Sequence, residues 1–210
     1  MKQLLIGCGH SRVKRLGWPM PGWDREWEDL YTLDFNKDCK PDIRADLNKP
    51  GWPVFDCNPR GSDCVEYDSD SRRPRLREGI FDEIHAYEVL EHLGRQGDFL
   101  SFFDTFANLY RLLVPGGLVL ATCPSRYSGW LWGDPGHTRA IIPECLSFLD
   151  QTIYALECGR TARSDYRFCW QGDFEPLISH DDKQTHGFVL RARKPARMDA
   201  DTSPGSAGHG

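Results

Sequence analysis

The chain has 210 residues, 40% of them apolar, and a formal net charge of −5. That is enough for one well-buried α/β domain and short for two, and the acidic balance leaves no broad footprint for nucleic acid or an anionic membrane. No apolar run reaches transmembrane length, and the start, Met1-Lys2-Gln3-Leu4-Leu5-Ile6-Gly7, is too short in its apolar part for a signal peptide.

The eight cysteines (8, 39, 57, 64, 123, 145, 158 and 169) contain no Cys-x-x-Cys pair. They read as reduced thiols of a cytoplasmic protein, so neither a disulfide framework nor a zinc site is expected, and no metal ligand is assigned.

In chain order, Gln3-Leu4-Leu5-Ile6 runs straight into Gly7-Cys8-Gly9-His10-Ser11. A short apolar run bounded by glycine suits a strand buried on both faces, and glycines at its end let backbone approach a ligand closely. The dinucleotide fingerprint needs a third glycine where Arg12 stands, so a ligand without phosphates is favoured over a pyrophosphate. Residues 12–28 are irregular, because Gly17-Trp18-Pro19-Met20-Pro21-Gly22-Trp23 forbids a long helix.

Leu30–Asp34 reads as a second strand ending in a carboxylate. Asp34 stands 25 residues beyond Gly9, close to the spacing at which an acid meets a ribose; a plain turn role in Asp34-Phe35-Asn36-Lys37-Asp38 stays open. Asp42–Leu47 is a third strand, again with an acid, Asp46, near its end. Residues 57–78 form a polar insert, acidic in its first half and basic in its second, read as a solvated, partly self-paired loop.

Phe81–Ala86 is a fourth strand leading into a helical turn, Tyr87–Leu93. The clearest helix follows: apolar residues from Phe99 to Leu113 recur at three- and four-residue spacing, with Asp98 as N-cap and Pro115-Gly116-Gly117 as stop. Gly117–Pro124 is a fifth strand, and Pro143–Thr152 a short helix.

Alternating elements of this kind predict an open parallel sheet, whose ligands bind beyond the carboxyl ends of the strands. Gly7–Ser11, Asp34, Asp46, Ala86–Glu88 and Cys123–Tyr127 all fall at that rim.

These motifs together resemble the class I S-adenosylmethionine-dependent methyltransferases, in particular a type 11-like branch. The resemblance rests on Leu4-Leu5-Ile6-Gly7-Cys8-Gly9, Asp34, Asp42-Ile43-Arg44-Ala45-Asp46-Leu47, Phe81 to Leu93 and Leu113-Val114-Pro115-Gly116-Gly117, in order and spacing. It covers residues 3–125 and extends loosely to Asp134–Glu144.

It implies a Rossmann-like fold: a seven-stranded, mostly parallel sheet with an antiparallel last strand, in a three-layer sandwich. Tyr166–Trp170 and Gly187–Arg193 would be the last two strands, with the charged loop Asp173–His186 between them capping the site. It also implies the cofactor S-adenosyl-L-methionine. Gly7, Cys8 and Gly9 would face its methionine portion, Asp34 the ribose, Asp46 and Leu47 the adenine, and Ala86 and Tyr87 the sulfonium side. The chain departs from the family in the proline-broken segment after the glycine turn and in the insert.

Residues 1–194 are therefore expected to form one domain, with 195–210 a disordered tail. Residues 125–142 are expected to wall and cover the acceptor. Tyr127, Trp130 and Trp132 offer apolar walls there, or simply core packing, while Asp134, His137 and Arg139 offer polar ends. His137 is the candidate general base, with loop orientation as its alternative role.

No Asp/Asn-Pro-Pro-Tyr/Phe follows strand four, so a small-molecule or sugar-type acceptor is expected rather than a DNA base. A catalytically silent binding module of the same fold and a nucleotide-dependent oxidoreductase are the competing readings.

Overall fold

The computed structural model describes residues 1–15, 25–67 and 73–195. An eight-stranded sheet has the order β4-β3-β2-β1-β7-β8-β10-β9. Its strands are β1 (Lys2–Ile6), β2 (Asp29–Asp34), β3 (Ile43–Ala45), β4 (Val54–Cys57), β7 (Phe81–Tyr87), β8 (Leu113–Pro124), β9 (Phe174–Asp181) and β10 (Thr185–Ala192). β5 (Val65–Tyr67) and β6 (Pro74–Leu76) form a separate hairpin. The five strands from β3 to β8 are parallel, whereas β4 and β10 run antiparallel to their neighbours β3 and β8.

Two departures from expectation sit at the sheet edges. The sheet has eight strands, not seven, because β4 adds an antiparallel edge strand where the polar insert begins. The insert is also more than a loop. Its Cys64, Val65 and Leu76 are buried in the main core, and Glu66 and Arg75 pair across the hairpin at 2.9 Å.

At the other edge, Tyr166–Trp170 is a turn and not a strand, closed by the Cys169 and Trp170 amides on the Tyr166 carbonyl. Its aromatic residues serve as packing knobs. Trp170 stacks between Phe103 and Phe174, at 5.9 and 6.1 Å, and its indole donates to the Leu149 carbonyl. The strand is β9, inside the stretch expected to be a charged loop. Edge position tolerates its Pro176, which lacks a ladder donor and pairs with Leu190 where the register shifts.

One face of the sheet carries α1 (Phe99–Leu112). The helix starts as expected, with the Asp98 side chain accepting from the Ser101 N–H. Phe103, Phe106, Leu109 and Leu112 are buried in one cluster with Leu4, Ile6, Ile84 and Ala86. Each such side chain contributes roughly 1.5–3 kcal/mol on full burial. Two further short helices, α3 (Pro143–Leu146) and α4 (Gln151–Glu157), add Leu146 and Tyr154 to that cluster. α2 (Trp130–Gly133) lies in the loop after β8.

Strand alternation sends Leu5, Tyr87 and Leu120 to the opposite face, where Trp27 covers them. Residues 8–15 and 25–28, which follow β1 on the chain, form no helix. The third layer implied by the resemblance is therefore not built by these residues. The proline-rich residues 16–24, the middle of the insert (68–72) and the tail beyond Pro195 lie outside the described residues, and with them the expectations of an irregular segment and a disordered tail. Among the described residues no helix is long and apolar enough to cross a membrane. All eight cysteines are unpaired.

Candidate functional site

The chain leaves β1 toward β2 and β3 on one side and returns to β7 on the other. β1 and β7 thus flank a topological switch point, the place where open sheets of this kind leave a crevice outside the carboxyl ends. A cavity of about 250 Å³ lies there, between Gly7–Ser11 after β1 and Tyr87–Glu88 after β7.

The turn on its β1 side is tied down on three sides. Gly7 and Gly9 both have positive φ, at 58° and 51°, a conformation that costs glycine nothing. A Cβ on Gly7 would lie 2.3 Å from Val89, so that position also has no room. The Gly9 N–H donates to Asp34 Oδ2 at 2.9 Å, and Asp34 Oδ1 accepts from the Asn36 N–H at 2.9 Å. Arg12 closes the turn from below, donating to the carbonyls of Gly9 and Cys39, each at 3.0 Å. Where a phosphate-binding loop would carry its third glycine, this chain places a guanidinium that staples its own backbone. Burial pushes the Cys8 thiol up to about 11, so it is a wall and not a nucleophile.

A polar chain along one face of β7 ends at Tyr87 in the wall of this cavity. Gln3 donates to Glu83 Oε2 at 2.6 Å, His85 Nε2 meets the same oxygen at 2.9 Å, and His85 Nδ1 meets the Tyr87 hydroxyl at 2.7 Å. Burial opposes the Glu83 charge, yet the hydrogen bonds from His85 and Gln3 outweigh it and hold the carboxyl below its ordinary value. For His85, burial outweighs the pull of Glu83, and the imidazole stays neutral. A neutral ring donates from Nε2 to the carboxylate, so Nδ1 accepts from Tyr87. Burial also pushes the Tyr87 phenol well up. The chain therefore orients a neutral hydroxyl in the cavity wall.

A second cavity, of about 270 Å³, opens beside the first and shares Glu88 with it. Glu88 is exposed and has φ of 55°, a strained setting for a residue other than glycine. Trp130, Asp134 and His137 line this second cavity, together with Gln184 and Thr185. His137 Nδ1 bonds the Trp130 carbonyl at 2.8 Å, and its Nε2 lies 3.9 Å from Glu91 Oε1 and 4.0 Å from Asp134 Oδ2. Glu91 is fully buried, and burial pushes its carboxyl up to about 8. Its own N–H and the Cys123 thiol draw that value down somewhat.

Of the residues expected to hold a cofactor, Gly7, Cys8, Gly9 and Tyr87 line the first cavity, and Asp34 stands directly behind Gly9. Ala86 is buried with its methyl in the core on the α1 side. Asp46 and Leu47 are not in that cavity. Asp46 accepts from the Asn48 N–H, and Leu47 lines a separate hollow with Asn48, Pro50 and Gly94.

Of the acceptor-side residues, Trp130, Asp134 and His137 line one cavity, whereas Tyr127 and Trp132 do not line it; all three of these aromatic residues are exposed. Arg139 is a buried staple. Its Nη2 donates to the carbonyls of Arg95 and Asp98 and to Ser101 Oγ, at 2.6, 2.8 and 2.9 Å, holding the start of α1. Glu83, His85 and Glu91 did not figure among the sequence candidates, and Glu88 figured only within the rim stretch Ala86–Glu88. For the first two the signal was present, since Glu83-x-His85-x-Tyr87 alternates along one strand face.

No family model and no curated protein matches this chain. Solved structures similar to it include a SAM-dependent methyltransferase from Archaeoglobus fulgidus, 14% identical, covering 90% of this chain and 85% of that one, with TM-score 0.49. Another is the N-methyltransferase NodS from Bradyrhizobium japonicum in complex with S-adenosyl-L-homocysteine: 16% identity, 92% and 78% coverage, TM-score 0.43. A third is an S-adenosylmethionine-dependent methyltransferase from Mesorhizobium loti, 15% identical, covering 90% of each chain, with TM-score 0.46.

Proposed function

We propose that this chain binds S-adenosyl-L-methionine in the cavity between β1 and β7 and transfers its methyl group, by in-line displacement, to a small-molecule or sugar-type acceptor in the adjoining cavity. The observation that carries this reading is the pair of cavities meeting at Glu88, one walled by the glycine turn and the other by His137. A two-substrate transfer needs its donor and acceptor sites in contact, with the reacting atoms aligned and water kept out.

The donor side suits a nucleoside without phosphates. Arg12 occupies the position of the third phosphate-loop glycine, and no helix N-terminus follows the turn among the described residues. Gly7, Cys8 and Gly9 would hold the amino-acid end of the cofactor, and Asp34, through its remaining lone pairs, the ribose hydroxyls. Glu88 supplies a negative charge beside the place of a sulfonium. Bound there, the cofactor supplies an electrophilic methyl. Tyr87, oriented by His85, shapes the wall beneath it.

On the acceptor side Trp130 gives an apolar wall, and His137 holds or accepts the acceptor's proton through Nε2, because its Nδ1–H is committed to a backbone carbonyl. Eight unpaired cysteines fit a reducing compartment, and we place the protein in the cytoplasm on that basis.

The test is formation of S-adenosylhomocysteine when the purified chain is incubated with S-adenosylmethionine and a panel of hydroxylated small molecules. Acceptor-dependent product, reduced by more than tenfold in His137→Ala, is the expected result. Cofactor binding without turnover on any acceptor class would favour a silent binding module.

A further inference from the structure

Glu91 and His92 lie in the 3-10 turn Leu90–His92 after β7, and His137 lies 45 residues beyond His92 in the loop after α2. The fold brings one ligand-type atom from each within 4.8 Å of the others. The rings stand edge to face, with centroids 4.7 Å apart.

Two features distinguish this group from a chance cluster. The first is the state of the imidazoles. His92 Nδ1 bonds the Gly136 carbonyl at 2.9 Å, and His137 Nδ1 bonds the Trp130 carbonyl at 2.8 Å. A carbonyl only accepts, so each Nδ1 carries the proton, and in the neutral ring each Nε2 keeps its lone pair. A backbone carbonyl behind the far nitrogen is the arrangement that orients metal-ligating histidines. The second is Glu91. It is fully buried, and among the described residues neither carboxylate oxygen has a donor in good hydrogen-bond geometry, its own N–H and the Cys123 thiol acting on it only weakly. Buried carboxylates without a donor are rare, because nothing offsets their lost hydration.

We propose that Glu91, His92 and His137 form a binding site for a first-row divalent cation on the wall of the acceptor cavity. Ligands about 2.1 Å from a common ion stand roughly 3–3.5 Å apart. The 3.9 Å between His137 Nε2 and Glu91 Oε1 needs only a small contraction. One carboxylate with two imidazoles suits Mn²⁺, Fe²⁺, Co²⁺ or Zn²⁺ better than Mg²⁺ or Ca²⁺, which prefer an all-oxygen shell. Three protein ligands leave coordination positions open, and of the three His137 lines the acceptor cavity, together with Glu88 and Asp134. On the methyl-transfer reading, which this clause alone rests on, the ion gives the acceptor class. With the ion bound, the His137 Nε2 lone pair is a ligand and no longer the base, and the acceptor is a hydroxyl oxygen whose proton is more readily lost once it ligates the cation.

The test uses the full chain, stripped with EDTA and desalted, and titrated with MnCl₂ by electron paramagnetic resonance and with ZnCl₂ by calorimetry. One equivalent of either ion is expected to bind, with affinity at least tenfold weaker in Glu91→Gln and in His92→Asn. Should a variant fail to fold, as judged by far-UV circular dichroism, the wild-type protein still decides. Substoichiometric Mn²⁺ should broaden the imidazole signals of His92 and His137 ahead of the other five histidines. Absence of saturable binding, unchanged affinity in folded variants, or broadening centred elsewhere would overturn the site. Binding of S-adenosylhomocysteine, measured separately in EDTA, reports on the methyl-transfer reading alone. Either reading therefore fails without the other.

Discussion

The Gly9 amide donates to the Asp34 carboxylate at 2.9 Å, joining the turn after β1 to the end of β2. The two residues, 25 positions apart, act as one unit, with the acid bonding the turn's backbone from behind. Asp34→Ala removes the acceptor of two backbone N–H groups. It should weaken S-adenosylhomocysteine binding by about 1.5–3 kcal/mol, the range for hydrogen bonds to a charged group. Asp34→Asn keeps one acceptor and should lose less. Equal affinity in all three proteins by calorimetry would remove Asp34 from the site.

Gly7 lies under Val89, with no space for a Cβ and with positive φ. Gly7→Ala should therefore lower the melting temperature, whereas Gly7→Ala combined with Val89→Ala should recover part of the loss. Recovery would show that contact, and not φ alone, sets the cost. No recovery would assign the whole cost to backbone strain.

Arg139 is expected to act on stability and not on the acceptor. Arg139→Met removes the guanidinium hydrogen bonds to the carbonyls of Arg95 and Asp98, each worth about 1.5–3 kcal/mol as a hydrogen bond involving a charged group. Urea denaturation should show the loss, while the acceptor KM stays within twofold. A KM effect larger than the stability effect would return Arg139 to the acceptor site.

His186 gives the pH dependence a definite sign. Burial holds its imidazole below the ordinary value of 6.5, against the opposing pull of the Ile141 carbonyl. As pH falls through 6.5 the unfolded chain takes up this proton first, so stability is complete above 6.5 and declines below it. The His186→Asn variant should lose that slope, which reaches at most about 1.4 kcal/mol per pH unit. Subtracting its stability profile from that of the wild type cancels other titrating groups such as Glu91. The difference should grow as pH rises toward 6.5 and then level off, and a difference that grows as pH falls would contradict the assignment.

Much of this was legible in the chain. β1, β2 and β7, the Asp98 cap and the α1 stripe follow from periodicity and turn chemistry, and the rim follows from where those strands end. The aromatic stretch Tyr166–Trp170 misled because β-type residues also serve as packing knobs, and only tertiary contact tells the two apart. β9 was hidden because an edge strand exposed on one side reads as a charged loop. The meeting of Glu91 and His92 with His137 has no local signature, since a 45-residue separation becomes a contact only through the loop after β8. Arg139 looked like a ligand because a buried arginine and a substrate arginine have the same sequence context.

The central claim is the chemistry of the cavity between β1 and β7, and calorimetry with S-adenosylhomocysteine and NAD on the same protein preparation tests it most directly. The account predicts one saturable site for S-adenosylhomocysteine and no measurable heat with NAD, because Arg12 closes the turn that a pyrophosphate would need. Tight binding of NAD, with none of S-adenosylhomocysteine, would contradict it.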